Sequence, residues 1–199
     1  MNGEQIKEMQ RRINQKFRSG SALVVDGLWG PVSQAKCRAY LRSLMPEPNP
    51  WPAADQASLR NFFGAPGDES RLVSIEFPYA MFYGTKKVTT TRVHRKCADS
   101  LLRVLHAIKA KYGNDESIME EARSYGGIFN FRTKRGGSSY SLHAYGAAID
   151  LDVDDNSFRN SWPMQSDMPL EIIEEFAREG WVSGGAFWGY DAMHFQATR

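Results

Sequence analysis

The chain has 199 residues, 42% of them hydrophobic and 24% charged, the proportions of an ordinary globular protein. A net charge of +2 over scattered basic residues gives no footing for nucleic acid as a partner. No apolar run approaches the roughly eighteen residues of a membrane span, and the length suits one good-sized domain, or one with a small appendage.

The start, Met1-Asn2-Gly3-Glu4-Gln5-Ile6-Lys7, lacks the apolar run of a signal peptide, so synthesis in the cytosol without export by the usual route is expected. Ile6, Met9, Gln10, Ile13 and Phe17 recur at helical spacing and predict a first helix. Leu23-Val24-Val25-Asp26-Gly27-Leu28-Trp29-Gly30-Pro31 reads as a short extended piece with a tight Asp-Gly turn. A second helix begins near Pro31 or Ser33, since proline is favoured in the first helical turn, and reaches Met45. Then Pro46-Glu47-Pro48-Asn49-Pro50-Trp51-Pro52 places four prolines in seven residues, a stiff extended path that no helix continues through. The chain thus divides into a helical unit at 1–45, a Pro-rich linker at 46–52 and a main domain at 53–199.

In the main domain, 59–63 predicts a short helix stopped by Gly64, and 72–77 and the threonine-rich 87–93 read as strands. Residues 93–112 predict a long helix closed by Gly113, and 169–178 a second one stopped by Gly180. Further strands are expected at 127–131, 147–153 and 193–197. Cys37 and Cys97 lack CxxC spacing and read as buried free thiols. His94 and His106, on or beside a helix, read as ordinary core or surface histidines.

The chemistry concentrates in two stretches. Ser141-Leu142-His143-Ala144-Tyr145-Gly146-Ala147-Ala148-Ile149-Asp150 is answered by Asp191-Ala192-Met193-His194-Phe195-Gln196. Two imidazoles and a carboxylate suffice for a three-ligand zinc with an open position, whereas a structural zinc is usually closed by four ligands rich in Cys. Strand alternation puts Ala148, Asp150 and Asp152 on one face, with Ile149, Leu151 and Val153 on the other, towards the core. It likewise turns Met193 and Phe195 inward and His194 and Gln196 to the opposite face.

Asp191 has the wrong parity for that strand and is placed on the Gly189-Tyr190 turn. There it stands beside the metal without ligating it, in the position of a general base for metal-activated water. His143 precedes the first ligand strand, where a turn can bring its ring over Asp150, and Gly146 with three alanines leaves room for an incoming chain. An Asp in an otherwise apolar strand needs a partner to offset its desolvation, and a metal is one. Arg132, closing the stretch from Gly126, can hold a developing oxyanion or serve as a surface salt-bridge residue; the residues alone leave both open. The acids from Asp150 to Asp155 suggest a calcium loop, but Asp155 and Ser161 stand where Gly and Glu are needed. That motif fails, and the extra acids read as a solvated strand end.

Two resemblances add to this reading. The unit 1–45 resembles the small three-helix peptidoglycan-binding module, on Met9-Gln10, on Val25-Asp26-Gly27-Leu28-Trp29-Gly30-Pro31 and on the apolar helix after it. It implies wall binding, with the Trp29 indole plugging the unit's own small core. Ser141-x-His143-x-x-Gly146-x-Ala148-x-Asp150 followed by Asp191-x-x-His194-Phe195 is similar to the zinc-dependent D-Ala-D-Ala carboxypeptidase and L-alanyl-D-glutamate peptidase family, peptidase family M15. Gly126-Gly127, Asn130, Arg132, Arg135-Gly136-Gly137, Gly180-Trp181, Gly184-Gly185 and Trp188 support that resemblance.

The family resemblance implies an α+β fold of the hedgehog/DD-peptidase type, a small antiparallel sheet flanked by helices. It implies Zn2+ on His143, Asp150 and His194, Asp191 as base, Arg132 beside the oxyanion, and Ser141, Tyr140 and Trp188 along the substrate cleft. Carboxypeptidase members carry Glu at the base position, whereas Asp191 resembles the endopeptidase branch that cuts between L-Ala and D-Glu, often as bacteriophage endolysins. The expectation is a monomeric zinc endopeptidase of bacterial peptidoglycan, made in host cytoplasm and reaching the wall by holin-type release. A D-Ala-D-Ala carboxypeptidase is the nearest alternative. A non-catalytic zinc-containing wall-binding or virion protein is the alternative from another class, and the intact base speaks against it. The donor set also admits another divalent metal.

Overall fold

Asn2 starts the first helix, α1 (Gly3–Lys16), with a reciprocal cap. Its side chain accepts from the backbone N–H of Glu4 and Gln5, while the Gln5 side chain accepts from the N–H of Asn2. Ile6, Met9, Gln10 and Ile13 form the buried face. Residues 23–31 run without a strand partner, and the Gln10 side-chain oxygen accepts from the backbone N–H of both Asp26 and Gly27 to hold the turn. α2 (Pro31–Leu44) begins on its proline, as predicted. The linker is pinned to the body: the Trp51 indole donates to the Glu179 carbonyl at 2.7 Å, and the Asn49 amide to the Gly180 carbonyl at 3.0 Å. The structure, a computed structural model, describes residues 1–199.

After the linker come α3 (Gln56–Phe63), capped by Asp55, and the hairpin β1 (Leu72–Tyr83) with β2 (Lys86–His94). The hairpin is longer than predicted, because Val93 and His94 pair with Val73 and Leu72. The following helix, α4 (Ala98–Tyr112), therefore starts at residue 98 and not at 93. His94 is a buried core histidine whose Nε2 meets the Phe63 carbonyl at 3.0 Å. α5 (Glu116–Arg123), unpredicted, buries Ile118, Met119 and Ala122.

The second sheet is built from β3 (Tyr125–Gly127), β4 (Ala148–Leu151), β5 (Val182–Ser183) and β6 (His194–Gln196), in the order β3-β4-β6-β5 with antiparallel neighbours. The strand expected at 127–131 ends at Gly127. Backbone groups beyond it turn to the His143 segment instead: the Ile128 carbonyl to the His143 ring, and the Asn130 N–H to the His143 carbonyl. α6 (Leu170–Arg178) and α7 (Gly184–Trp188) complete an α+β architecture. α6 backs the sheet, with the Phe176 and Phe195 rings stacked at 4.0 Å. Ile149, Leu151, Phe195 and Ile173 are buried in that core, each contributing about 1.5–3 kcal/mol relative to exposure.

The N-terminal helices pack against this body, and one apolar cluster runs from Met9 and Ile13 through Tyr40 and Leu41 to α6. Glu174 of α6 is fully buried and meets Arg12 Nε at 2.6 Å and Lys16 Nζ at 2.9 Å, while Arg12 also reaches Glu171 at 2.9 Å. Burial works to raise the Glu174 carboxyl, but the bonds from Arg12 and Lys16 prevail and hold it below its ordinary value. Trp29 does more than plug its own unit. Its ring lies edge-on to Trp162 at 5.4 Å, and its N–H donates to Gln34 Oε1 at 2.7 Å. The Gln34 amide in turn donates to the Gly185 carbonyl at 3.2 Å and to the Ala186 carbonyl, so α2 grips α7. Cys37 and Cys97 are buried and free. No helix is long and apolar enough to cross a membrane.

Candidate metal centre and its cleft

β4 and β6 are in register with Asp150 opposite His194, and both side chains leave the sheet on the face away from α6. Asp150 Oδ1 stands 3.0 Å from His194 Nδ1. His143 arrives on a 3-10 turn, Leu142–Tyr145, which Ser141 caps and Gly146 closes in the left-handed region. Its Nε2 lies 3.2 Å from Asp150 Oδ1 and 3.1 Å from His194 Nδ1. Gly126 permits the close approach of β3, because a Cβ there would come within 2.8 Å of the Asp150 Cβ.

The partners of the two rings decide which nitrogens face inward. A carbonyl oxygen only accepts, so the Ile128 carbonyl, 2.7 Å from His143 Nδ1, holds the ring proton there and leaves a lone pair on Nε2. Gln196 does the same for His194: its Oε1 accepts from Nε2 at 3.1 Å, while its own amide donates to Thr198 Oγ1 at 2.6 Å. Two lone pairs and a carboxylate oxygen therefore converge on one point and repel unless a cation or proton sits among them. Tetrahedral bonds of about 2.0–2.1 Å would hold such ligand atoms about 3.3 Å apart, close to the separations found. Imidazoles whose second nitrogen is already engaged are the usual arrangement of metal-ligating histidines. The residues fit a divalent metal.

The electrostatics agree. Burial works to raise the Asp150 carboxyl, yet the hydrogen bonds with His143 and His194 outweigh it and hold the group well below the usual carboxylate range. Burial works to lower the His194 imidazole, and Asp150 outweighs that in turn. The set favours a negative carboxylate with positive charge beside it.

Asp191 lies on the turn before β6 with φ 60°, off the strand as its parity required, and its carbonyl accepts from the His194 N–H at 3.1 Å. The Gly184-Gly185 pair makes room for this turn: a Cβ on Gly184 would strike the Asp191 carbonyl. The Asp191 side chain is buried, and its Oδ1 has no hydrogen-bond partner, a state that structural carboxylates avoid. Burial raises its carboxyl above the ordinary value, with His194 pulling it back and Asp150 adding to the rise. Such a group readily takes a proton.

A cavity of about 800 Å³ opens on Asp150, Asp191 and His194 and is lined also by Ser141, Arg132 and Trp188. Trp188 is tilted over His194 with ring centroids 5.8 Å apart. Tyr140 stands outside the lining. Its ring stacks on Phe131 at 5.4 Å, and Gln56 bonds both its backbone N–H and its carbonyl, so it braces the loop that carries Arg132. Arg132 is on that loop and not at a strand end, with Nη1 3.3 Å from the Thr133 carbonyl.

The sequence model of the D-alanyl-D-alanine carboxypeptidase family matches residues 135–197. That stretch contains His143, Asp150, Asp191 and His194, and the match supports a peptidase of family M15. Arg132 lies just before it. No curated protein and no solved structure matches the chain.

Asp152 departs from the expected pattern. It takes φ 50° just after β4, leaves the Asp150 face and is 4% exposed, so it is no solvated strand end. It joins Glu121 and Asp167 in a second group of acids. Burial, with Asp152 adding to it, pushes the Glu121 carboxyl up to about 9. Asp154 and Asp155 alone of the run are exposed. Glu121 comes from α5, remote in the chain from Asp152, so no local pattern pairs the two.

Proposed function

We propose that the protein is a zinc-dependent peptidoglycan peptidase that hydrolyses the stem peptide at the L-Ala–D-Glu bond. The observation that carries this reading is the buried, unpartnered Asp191 carboxylate beside three converging donors, two of which, Asp150 and His194, line an open cleft. A bound zinc supplies Lewis acidity and brings the pKa of a water to about 7. Asp191 Oδ1 accepts the proton of the attacking water and then delivers it to the leaving amine. The Arg132 guanidinium donates to the carbonyl oxygen as negative charge develops there. Trp188 covers one side of the reacting centre, and the Ile128 carbonyl and Gln196 keep the two rings in their ligating orientation.

The family match supports peptidase chemistry, and the carboxypeptidase name of that family favours a second reading, removal of a terminal D-Ala. The shorter Asp191, where carboxypeptidases carry Glu, favours the endopeptidase. The Asp26-Gly27-Leu28-Trp29-Gly30-Pro31 signature supports wall binding, and Asp191 at the base position supports the bacteriophage endolysin type. Digestion of purified sacculi followed by mass spectrometry separates the readings: new amino-terminal D-Glu supports the endopeptidase, and free D-Ala supports the carboxypeptidase.

A further inference from the structure

Five cationic side chains line the cleft, Arg42, Arg132, Lys134, Arg135 and Arg199, and none of them forms an ion pair. Their only acidic neighbours in the lining are Glu47, Asp150 and Asp191. Arg42 differs from the others in origin. It comes from the last turn of α2, in the N-terminal unit, and with Met45 and the linker residues Pro46 to Asn49 it makes that unit a wall of the cavity.

Its side chain is exposed to the cleft, and the helix that carries it is fixed. The Arg42 guanidinium lies 5.7 Å from the centre of the Phe187 ring. Phe187 precedes Trp188 on α7, and the Trp188 ring is set against His194. Gln34, bonded to the Gly185 and Ala186 carbonyls, fixes α2 to the same short helix. The segment that carries Arg42 is thus tied to the elements around the metal centre through packed contacts and not through a free linker. With its central carbon over the Phe187 ring and no ion pair of its own, the Arg42 guanidinium has its planar N–H fork available for a two-bonded partner, and a carboxylate is the group that matches this fork.

We propose that Arg42 is a specificity-determining residue that binds a carboxylate on the substrate, away from the bond that is cut. The proposal rests on the peptidase reading for the identity of that substrate. Peptidoglycan stems carry carboxylates that also occur as carboxamides, which gives a matched pair of probes.

The test is calorimetric binding of a purified muropeptide, with its stem carboxylates free or amidated, to the full metal-loaded chain carrying Asp191→Asn so that the ligand is not consumed. The free-carboxylate form should bind about tenfold more tightly. Adding Arg42→Gln should bring the two affinities together, and Arg42→Lys should restore part of the difference, since it keeps the charge without the planar fork. Equal melting temperatures of the variants exclude a folding defect as the cause. A preference that persists in Arg42→Gln, or one that is absent with Arg42 intact, overturns the proposal. Turnover of sacculi by the protein with Asp191 intact reports on the peptidase reading separately.

Discussion

Asp150 and His194 face each other across β4 and β6, with 3.0 Å between the carboxylate Oδ1 and the imidazole Nδ1. This cross-strand pair anchors the site to a sheet whose other face is closed by the Phe176–Phe195 stack. His143 completes the donor set from a turn, and its orientation depends on the Ile128 carbonyl.

The outer partner of His194 is therefore open to test. Gln196→Leu removes the acceptor that keeps the Nε2 proton in place and should weaken metal binding about 10–100-fold, measured by competition with a chelator. Unchanged affinity would contradict the assigned tautomer. Chelating the metal from the unaltered chain should lower its melting temperature, because metal at a thousandfold excess over Kd stabilises the fold by about 4 kcal/mol.

The clasp between α1 and α6 predicts a stability effect far from the chemistry. Arg12→Leu leaves the buried Glu174 carboxylate with Lys16 alone and should cost about 3 kcal/mol in urea unfolding, the low end for a broken buried pair because one partner remains. The sign with pH follows from the depressed Glu174 value. The contribution is present above the unfolded carboxylate pKa and disappears as pH falls through the folded one, so the gap between the two proteins should narrow in acid. An equal gap at all pH values would contradict the assignment.

The acid group around Asp152 predicts the opposite slope. Glu121 in the folded chain keeps a proton up to about 9 that an ordinary carboxyl releases near 4.5. The folded state thus binds more protons in that window, and its stability falls as pH rises from about 4.5 to about 9. Glu121→Gln removes this term. Allowing for solvent screening, it should gain about 1 kcal/mol at pH 8, or some 2–4 °C, and flatten the profile. Parallel melting curves across pH would contradict it.

Much of the site is legible from the chain because its ligand strands obey a simple alternation. Ile149, Leu151 and Phe195 mark the core face, which forces Asp150 and His194 to the other side, and the wrong parity of Asp191 puts it on a turn. The orienting partners are harder to see: the Ile128 carbonyl carries no side-chain signal, and Gln196 shows its parity but not its bond. α5 is as short as α3 but lacks a glycine stop like Gly64, and its apolar face is only Ile118, Met119 and Ala122. Asp152 reads as an Asp150 companion until a positive φ turns it away. Glu174 looks like any acid on an amphipathic helix, since burial by Arg12 and Lys16 is decided by tertiary packing. For the same reason the Trp29 signature suggests a self-contained unit, whereas its indole helps to fix α2 against α7.

In the proposed mechanism Asp191 moves the proton for hydrolysis at the His143, Asp150 and His194 centre. The most direct test incubates the metal-loaded protein and its Asp191→Asn variant with purified sacculi and counts new amino termini against bound metal. The unaltered protein should release amino-terminal D-Glu, and the variant should do so at a rate about 100- to 10,000-fold lower at equal metal content. Equal release by both proteins, or no release by the unaltered one, would contradict it.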